Sequence, residues 1–249
     1  MRKCALNQLD AVFAAIAEKA SLYLPVEQTD GSSAYKKWEE GTVWSQALNT
    51  VRSPKDFFFP QMENLMEFKT EGKNIEVIDT RSETEDFVIF GVRACDVKSF
   101  DILDRVFLTE PVDSFYGSRR EHGVIISLAC TRPSETCFCK TFGIDASEPA
   151  GDISAWKTET EIFFKANTEK GEELLNKISA LTEECDDSAV NEQKAKINAI
   201  MNKLPLKDLT TDAFGGGKTN EFFNSSVWDE LSATCLGCGT CTFVCPTCQ

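Results

Sequence analysis

Cysteine is the residue type here whose number and spacing could do chemistry: the chain holds 11 cysteines and one histidine, His122. The most ordered stretch is Cys235-Leu-Gly-Cys-Gly-Thr-Cys-Thr-Phe-Val-Cys-Pro246, a Cys-x2-Cys-x2-Cys-x3-Cys-Pro run. That spacing is the bacterial ferredoxin pattern of thiolate ligands to iron–sulfur clusters. A cubane takes thiolates from several directions, so its loop must curl tightly, and Gly237 and Gly239 supply the backbone freedom. In two-cluster ferredoxins the first three cysteines serve one cluster and the fourth reaches the other. By that logic Cys235, Cys238 and Cys241 hold one cluster and Cys245 starts a second, unless Cys248 closes a single cluster instead. A zinc knuckle also uses Cys-x2-Cys, but zinc ribbons separate two such pairs by a longer spacer. The run reads as the first half of a ferredoxin-like module that continues beyond Gln249.

A second set is Cys95 in Gly91-Val-Arg-Ala-Cys-Asp96, then Cys130, Cys137 and Cys139 in Cys130-Thr-Arg-Pro-Ser-Glu-Thr-Cys-Phe-Cys139. Cys95 follows the apolar run Phe87–Val92, and Cys130 follows Gly123–Leu128. If those runs are neighbouring parallel strands, both thiols emerge at one carboxyl edge, where open α/β sheets place their ligands. Four thiolates could complete a cluster there. The alternative is that Cys95 and Cys130 are small buried residues at strand ends. Cys4 and Cys185 stand alone. His122, after Arg119-Arg-Glu, reads as a surface residue or a local hydrogen-bond partner.

Composition narrows the setting. Forty acidic against 26 basic residues leave a net charge of −14, the wrong sign for attracting nucleic-acid phosphates or anionic lipid. No apolar stretch approaches the ~20 residues that cross a bilayer. An odd cysteine count in a chain of 249 residues with no apolar leader at its start argues against a secreted disulfide scaffold and for a cytoplasmic, reducing setting.

The elements that must position these thiols follow from periodicity. Leu9, Val12, Phe13 and Ile16 mark an amphipathic docking helix within residues 5–20. The rest of the first 70 residues reads as a loop around Pro25 and Gly31, then an extended connector in which Pro54 and Pro60 bracket three phenylalanines. Ile75–Ile78 alternates as a strand. Phe87–Val92 and Gly123–Leu128 read as strands buried on both faces, and Asp96 as the N-cap of a helix carrying Val97, Phe100, Leu103 and Phe107. Glu161–Ala166 is a further strand, leading through Gly171 into a helix over 172–181. The fold class expected is an α/β (α+β) N-terminal domain with a C-terminal ferredoxin-like module. Its domains are residues 1–182, with an α/β core from about residue 70, a polar helical connector over 183–230, and the start of the module over 231–249. Gly215-Gly-Gly-Lys-Thr219 lacks the first glycine and the preceding strand of a phosphate loop, and reads as a turn.

Taken together, the sequence resembles the iron–sulfur beta subunits of cytosolic sulfhydrogenases and the corresponding iron–sulfur subunits of anaerobic sulfite reductases. The marks are Ser53-Pro-Lys with Phe59-Pro-Gln, Gly91-Val-Arg-Ala-Cys-Asp followed by Asp101-Ile-Leu-Asp-Arg-Val-Phe, and Tyr116 with Arg119-Arg-Glu. Further on come Cys130 with Cys137-Phe-Cys, Gly151-Asp152, Thr168-Glu-Lys-Gly171, Trp228 and the terminal Cys235–Cys248 run. The resemblance implies two 4Fe–4S clusters in a complete C-terminal module and strengthens Cys95, Cys130, Cys137 and Cys139 as ligands of one further, internal cluster. It also implies an electron-transfer subunit of an anaerobic oxidoreductase, between a flavin-containing subunit linked to NAD(P)H or ferredoxin and a catalytic subunit of the sulfite reductase or hydrogenase type. The residues themselves offer no dinucleotide fingerprint and no nucleophile with an evident base. Arg93, Arg119 and Arg120 read as offsets to cluster charge or as ordinary ion-pair partners. Two other readings are a catalytic iron–sulfur protein with an open iron position and a thiol or cluster redox sensor.

Overall fold

The computed structural model describes residues 1–249, the side chains of Ser82 and Glu83 excepted. In chain order the elements are β1 (Arg2–Ala5), α1 (Leu9–Ala17), β2 (Ser21–Glu27), β3 (Ser33–Lys37), β4 (Met66–Glu71), β5 (Asn74–Asp79) and β6 (Phe87–Val92). They continue with α2 (Ala94–Phe107), α3 (Ser114–His122), β7 (Gly123–Leu128), β8 (Ile153–Lys157), β9 (Glu161–Ala166) and α4 (Glu169–Lys177). The last are β10 (Glu183–Glu184), α5 (Asn191–Met201), α6 (Lys218–Glu221), α7 (Val227–Ser232) and α8 (Thr240–Val244).

Eight strands form one mixed sheet in the order β10-β1-β9-β8-β7-β6-β2-β3. Its centre, β2, β6, β7 and β8, is parallel, and antiparallel strands flank it on both sides. Every residue of β6 is buried, as a strand covered on both faces must be. On one face, Leu9, Val12, Phe13 and Ile16 of α1 and Leu174 and Leu175 of α4 pack with Val88, Phe90, Ile126 and Leu128. On the other, Val97, Phe100 and Leu103 of α2 and Tyr116 of α3 pack with Ile89, Val92, Ile125 and Phe58. Alternation along the strands divides the two cores, since successive side chains point to opposite faces. Further along that second face, Trp156 and Phe163 pack with Val190 and with Ile197 of α5.

Several sequence expectations change. The sheet begins at residue 2, not near residue 70, and the region around Pro25 and Gly31 is the β2–β3 hairpin rather than a loop after a helix. Pro25 is tolerated because β2 pairs with β6 only over Ser21–Tyr23, so its missing N–H costs no bond to that strand. Ile75–Ile78 is a strand, but it pairs with β4 in a separate two-stranded ribbon. Residues 54–57 form a 3-10 turn instead of an extended connector. Ser53 Oγ accepts the Lys55 N–H at 3.3 Å, and Pro54 pre-sets the first turn. The N-cap of α2 is Arg93, not Asp96; strand and helix abut, so Asp96 falls within the first turn. Thr168 caps α4, placing Gly171 inside that helix rather than before it.

Two of the three arginines singled out in the sequence are structural. Arg120 donates to both carboxylate oxygens of Asp104 at 2.9 Å and lies over the rings of Phe58 and Phe100. Arg119 pairs with Glu63. His122 Nδ1 is 2.8 Å from an oxygen of Asp86 on the surface, the local partner role expected of it. Gly215, Gly216 and Gly217 all have positive φ in an exposed turn. Among the described residues, no helix is long and apolar enough to cross a membrane.

Candidate metal centre

The internal cysteines are positioned by β6 and β7. These are adjacent parallel strands in the register Val88↔Val124 through Phe90↔Ile126, so their carboxyl ends open on the same edge. The register shifts between Phe90 and Val92, where Gly91 has φ +84°, a conformation that L side chains seldom adopt. From this bulge the chain passes directly through Arg93 into α2, whose second residue is Cys95. Cys130 lies two residues beyond the end of β7, its N–H donating to the Ala146 carbonyl at 3.4 Å. The loop that follows folds on itself. The Ser134 N–H reaches Cys137 Sγ at 3.2 Å, and Cys139 opens a 3-10 turn that ends on Gly143 with φ +65°.

This geometry brings the four thiols to one edge. The Cys95 and Cys139 thiols act directly on each other, and Cys130 is within electrostatic reach of Cys137 and Cys139. That interaction, with burial and the Asp96 carboxyl behind it, drives the Cys95 thiol far up. The same interaction draws Cys139 down to about 7. Burial pushes Cys130 up to about 11, with the Arg93 guanidinium opposing it. Arg93 ties the edge together, donating to the Leu48 carbonyl at 2.9 Å and the Ala47 carbonyl at 3.0 Å. It also reaches the Leu128 and Ala129 carbonyls at 3.4 and 3.5 Å.

Asp96 was legible only as a helix cap. It is instead a carboxyl beside the thiols, pushed up to about 6 by burial against the pull of Arg93. Tyr35 lies against the same group, and burial with the nearby Asp96 raises its phenol strongly. Only its place on β3 brings Tyr35 to this edge, and spacing along the chain carries no sign of it.

The C-terminal cysteines form a different arrangement. Gly237 and Gly239 have φ +65° and +72°, so the loop curls as the sequence requires. The Gly237 N–H donates to Cys235 Sγ at 3.4 Å, and Cys238 Sγ lies 3.2 Å from Thr240 Oγ1, a contact that lowers the Cys238 thiol. Past α8, the Cys245 and Cys248 thiols act directly on each other, and Cys241 lies within electrostatic reach of Cys248. Burial acts to raise Cys245, but hydrogen bonds from Thr247 and Cys248 outweigh it and bring this thiol down to about 7. This end of the chain is seated on Lys55, whose ammonium donates to the carbonyls of Phe243, Cys245 and Cys248 at 3.4, 2.8 and 3.0 Å. Nothing in the cysteine spacing pointed to Lys55. The one signal was its place in Ser53-Pro-Lys.

All 11 cysteines are free thiols, and among the described residues no three Cys, His, Asp or Glu side chains converge as ligands of one ion. The donor groups at both places are soft cysteine sulfurs, which a bound metal deprotonates to thiolates. That set suits iron–sulfur clusters, which are held by cysteine thiolates. Cubane irons sit at separate corners, so their ligands surround a group rather than meet at a point. The residues present therefore fit the group the sequence implies.

No family model matches the chain, and no solved structure matches it. Among curated proteins, the chain is 30% identical over 247 residues to the Sulfhydrogenase 2 subunit beta of Pyrococcus furiosus, a match covering 95% of this chain and 69% of that protein. By the extent of that match, the chain belongs to the sulfhydrogenase beta-subunit family.

Proposed function

We propose that this chain is an iron–sulfur electron-transfer subunit of a cytoplasmic, anaerobic oxidoreductase complex. It would relay electrons between a flavin-containing subunit linked to NAD(P)H or ferredoxin and a catalytic subunit of the sulfite reductase or hydrogenase type. The observation that carries this reading is the gathering of Cys95, Cys130, Cys137 and Cys139 at the carboxyl edge of β6 and β7, with the Cys95 and Cys139 thiols acting directly on each other. The similarity to a sulfhydrogenase subunit supports membership of a multisubunit enzyme.

The division of labour follows the chain. Residues 1–182 hold an internal 4Fe–4S site through Cys95, Cys130, Cys137 and Cys139. Residues 183–230, of which β10 and α5 pack onto that domain, lead to a ferredoxin-like module that starts at residue 231, with Cys235, Cys238, Cys241 and Cys245 as ligands and Cys248 within reach of the same site. Two clusters belong to that module when it is complete. A bound cubane supplies reversible one-electron storage. The protein's part is to hold the thiolates and set the field around them. Arg93 places a positive charge at the internal edge, and hydrogen bonds from the Gly237 N–H, Thr240 and Thr247 reach Cys235, Cys238 and Cys245. Such contacts to sulfur, with burial, are the levers that tune cluster potentials.

Anaerobic purification of the full chain, with iron and acid-labile sulfide assays and a redox titration followed by electron paramagnetic resonance, tests the reading. Reversible one-electron signals without turnover of sulfite, sulfur or protons are expected. Dithionite-driven reduction of such a substrate by the isolated chain would move the assignment to a catalytic iron–sulfur protein. A protein without iron and sulfide after anaerobic reconstitution would overturn it.

A further inference from the structure

Lys55 is an unusual place for a charge. Its side chain is in a residue only 6% exposed, and the chain around it, from Ser53 to Phe59, is pinned into the aromatic core through Phe57 and Phe58. A buried ammonium is costly unless its donors are satisfied. An ammonium carries three N–H donors, and here three backbone carbonyls receive them, those of Phe243, Cys245 and Cys248. All three belong to the segment that carries Cys241, Cys245 and Cys248. Beside this contact, the Arg52 guanidinium lies over the Phe243 ring at 4.6 Å, and Arg52 is itself held by Asp56. The terminal cysteine segment is thus seated on a rigid turn of the α/β domain by two cations, one of them buried.

We propose that Lys55 is the positioning residue for the C-terminal cluster loop. Its ammonium fixes the backbone of residues 243–248 and sets a permanent positive charge beside the Cys245 and Cys248 thiolates. The electrostatic half of this proposal rests on the assignment of those cysteines as cluster ligands. The docking half does not, because it concerns the polypeptide alone. Two consequences follow. The loop is fixed in place relative to the sheet, which suits a relay, since electron transfer slows steeply as the separation between sites grows. A fixed cation also favours the more negative, reduced state, so it raises the midpoint potential. Arginine could keep the charge, but its planar fork cannot send three donors from one point to three converging carbonyls.

The full-length chain, as wild type, Lys55→Met and Lys55→Arg, tests this. In the metal-free protein, hydrogen–deuterium exchange of the amides over 240–249 should accelerate at least tenfold in Lys55→Met, while amides of β6 and β7 stay protected. In the reconstituted protein, the reduced-to-oxidised ratio of the C-terminal cluster at the wild-type midpoint should fall about tenfold, a shift of about 59 mV for a one-electron couple. Lys55→Arg should show the faster exchange with most of the potential retained. Unchanged exchange over 240–249 in Lys55→Met would overturn the docking role, and an unchanged potential would overturn the electrostatic one. If Lys55→Met does not fold, amine acylation of the wild type decides. Lys55 should label at least tenfold more slowly than the exposed Lys36, and equal labelling refutes the seat. Wild-type protein that takes up no iron at the terminal run would defeat the cluster assignment while leaving the exchange measurement to judge Lys55.

Discussion

The Cys95 and Cys139 thiols act directly on each other although one lies in the first turn of α2 and the other in the loop after β7. Parallel pairing of β6 with β7 makes this meeting possible, because it delivers both chain segments to the same edge. Replacing Cys137, the middle cysteine of that loop, by Ser should lower the iron and sulfide content of the full chain by about one cluster. It should leave the far-ultraviolet circular dichroism unchanged, because Cys137 belongs to none of the buried clusters. Full iron content in Cys137→Ser would return the internal cysteines to a packing role.

Cys238→Ser should remove iron from the terminal run while leaving the internal signal intact. The two groups sit on different supports, one on the sheet edge and the other on the Lys55 turn. Losses in the double variant Cys137→Ser/Cys238→Ser should therefore add, as independent sites do. Loss of both signals in either single variant would show that the cysteines serve one shared site.

What the sequence disclosed and what it hid divide along physical lines. The strands Phe87–Val92 and Gly123–Leu128 were legible because burial on both faces demands continuous apolar runs, and the helix through Phe100 and Leu103 because its period survives in one stripe. β2 was hidden by Pro25, a residue that argues against a strand until the partner's short reach is known. β1 was hidden by its length and by Arg2 and Lys3, which lie near the edge of the sheet beside the two-residue β10. The cysteine positions were fully visible. Their surroundings were not: Tyr35 and Lys55 reach the cysteine segments only through tertiary contacts, and Asp96, although next to Cys95 in the chain, acts on Cys130 and Cys139 only through the fold.

Gly171 is a test of the packing that holds the sheet's far side. A Cβ at this position would fall inside contact distance of the Asp152 carbonyl oxygen and against Ile153. Asp152 cannot retreat freely: its carboxylate accepts the Ile125 N–H and the Thr168 hydroxyl, both at 2.8 Å. Alanine in an open helix position would stabilise by up to ~1 kcal/mol, whereas overpacking here should cost about 1–3 kcal/mol. Gly171→Ala should therefore lower the melting temperature by several degrees, with the iron content per folded chain unchanged. A higher melting temperature would mean that α4 can move away from Asp152 without penalty.

Cys4 gives the alkaline limit of stability a specific contributor. It is 5% exposed, in β1 against the core of α1 and α4, and burial pushes its thiol from 9.0 up to about 11. The folded state therefore holds the proton more tightly than the unfolded state does. Stability from this group is complete below pH 9 and is lost as pH rises through 11, because the unfolded chain ionises first. Over that window the loss amounts to about 2 kcal/mol. Other thiols and phenols with raised values, such as Cys130 and Tyr116, slope the same way, so the comparison must be with Cys4→Ala, in which their contributions persist. Urea denaturation at pH 8 and pH 11, under reducing conditions, should show wild type losing more stability than Cys4→Ala by about that amount. Equal losses in the two proteins would mean that the Cys4 thiolate finds water in the folded state, and that the α1 side of the core opens at high pH before the chain unfolds.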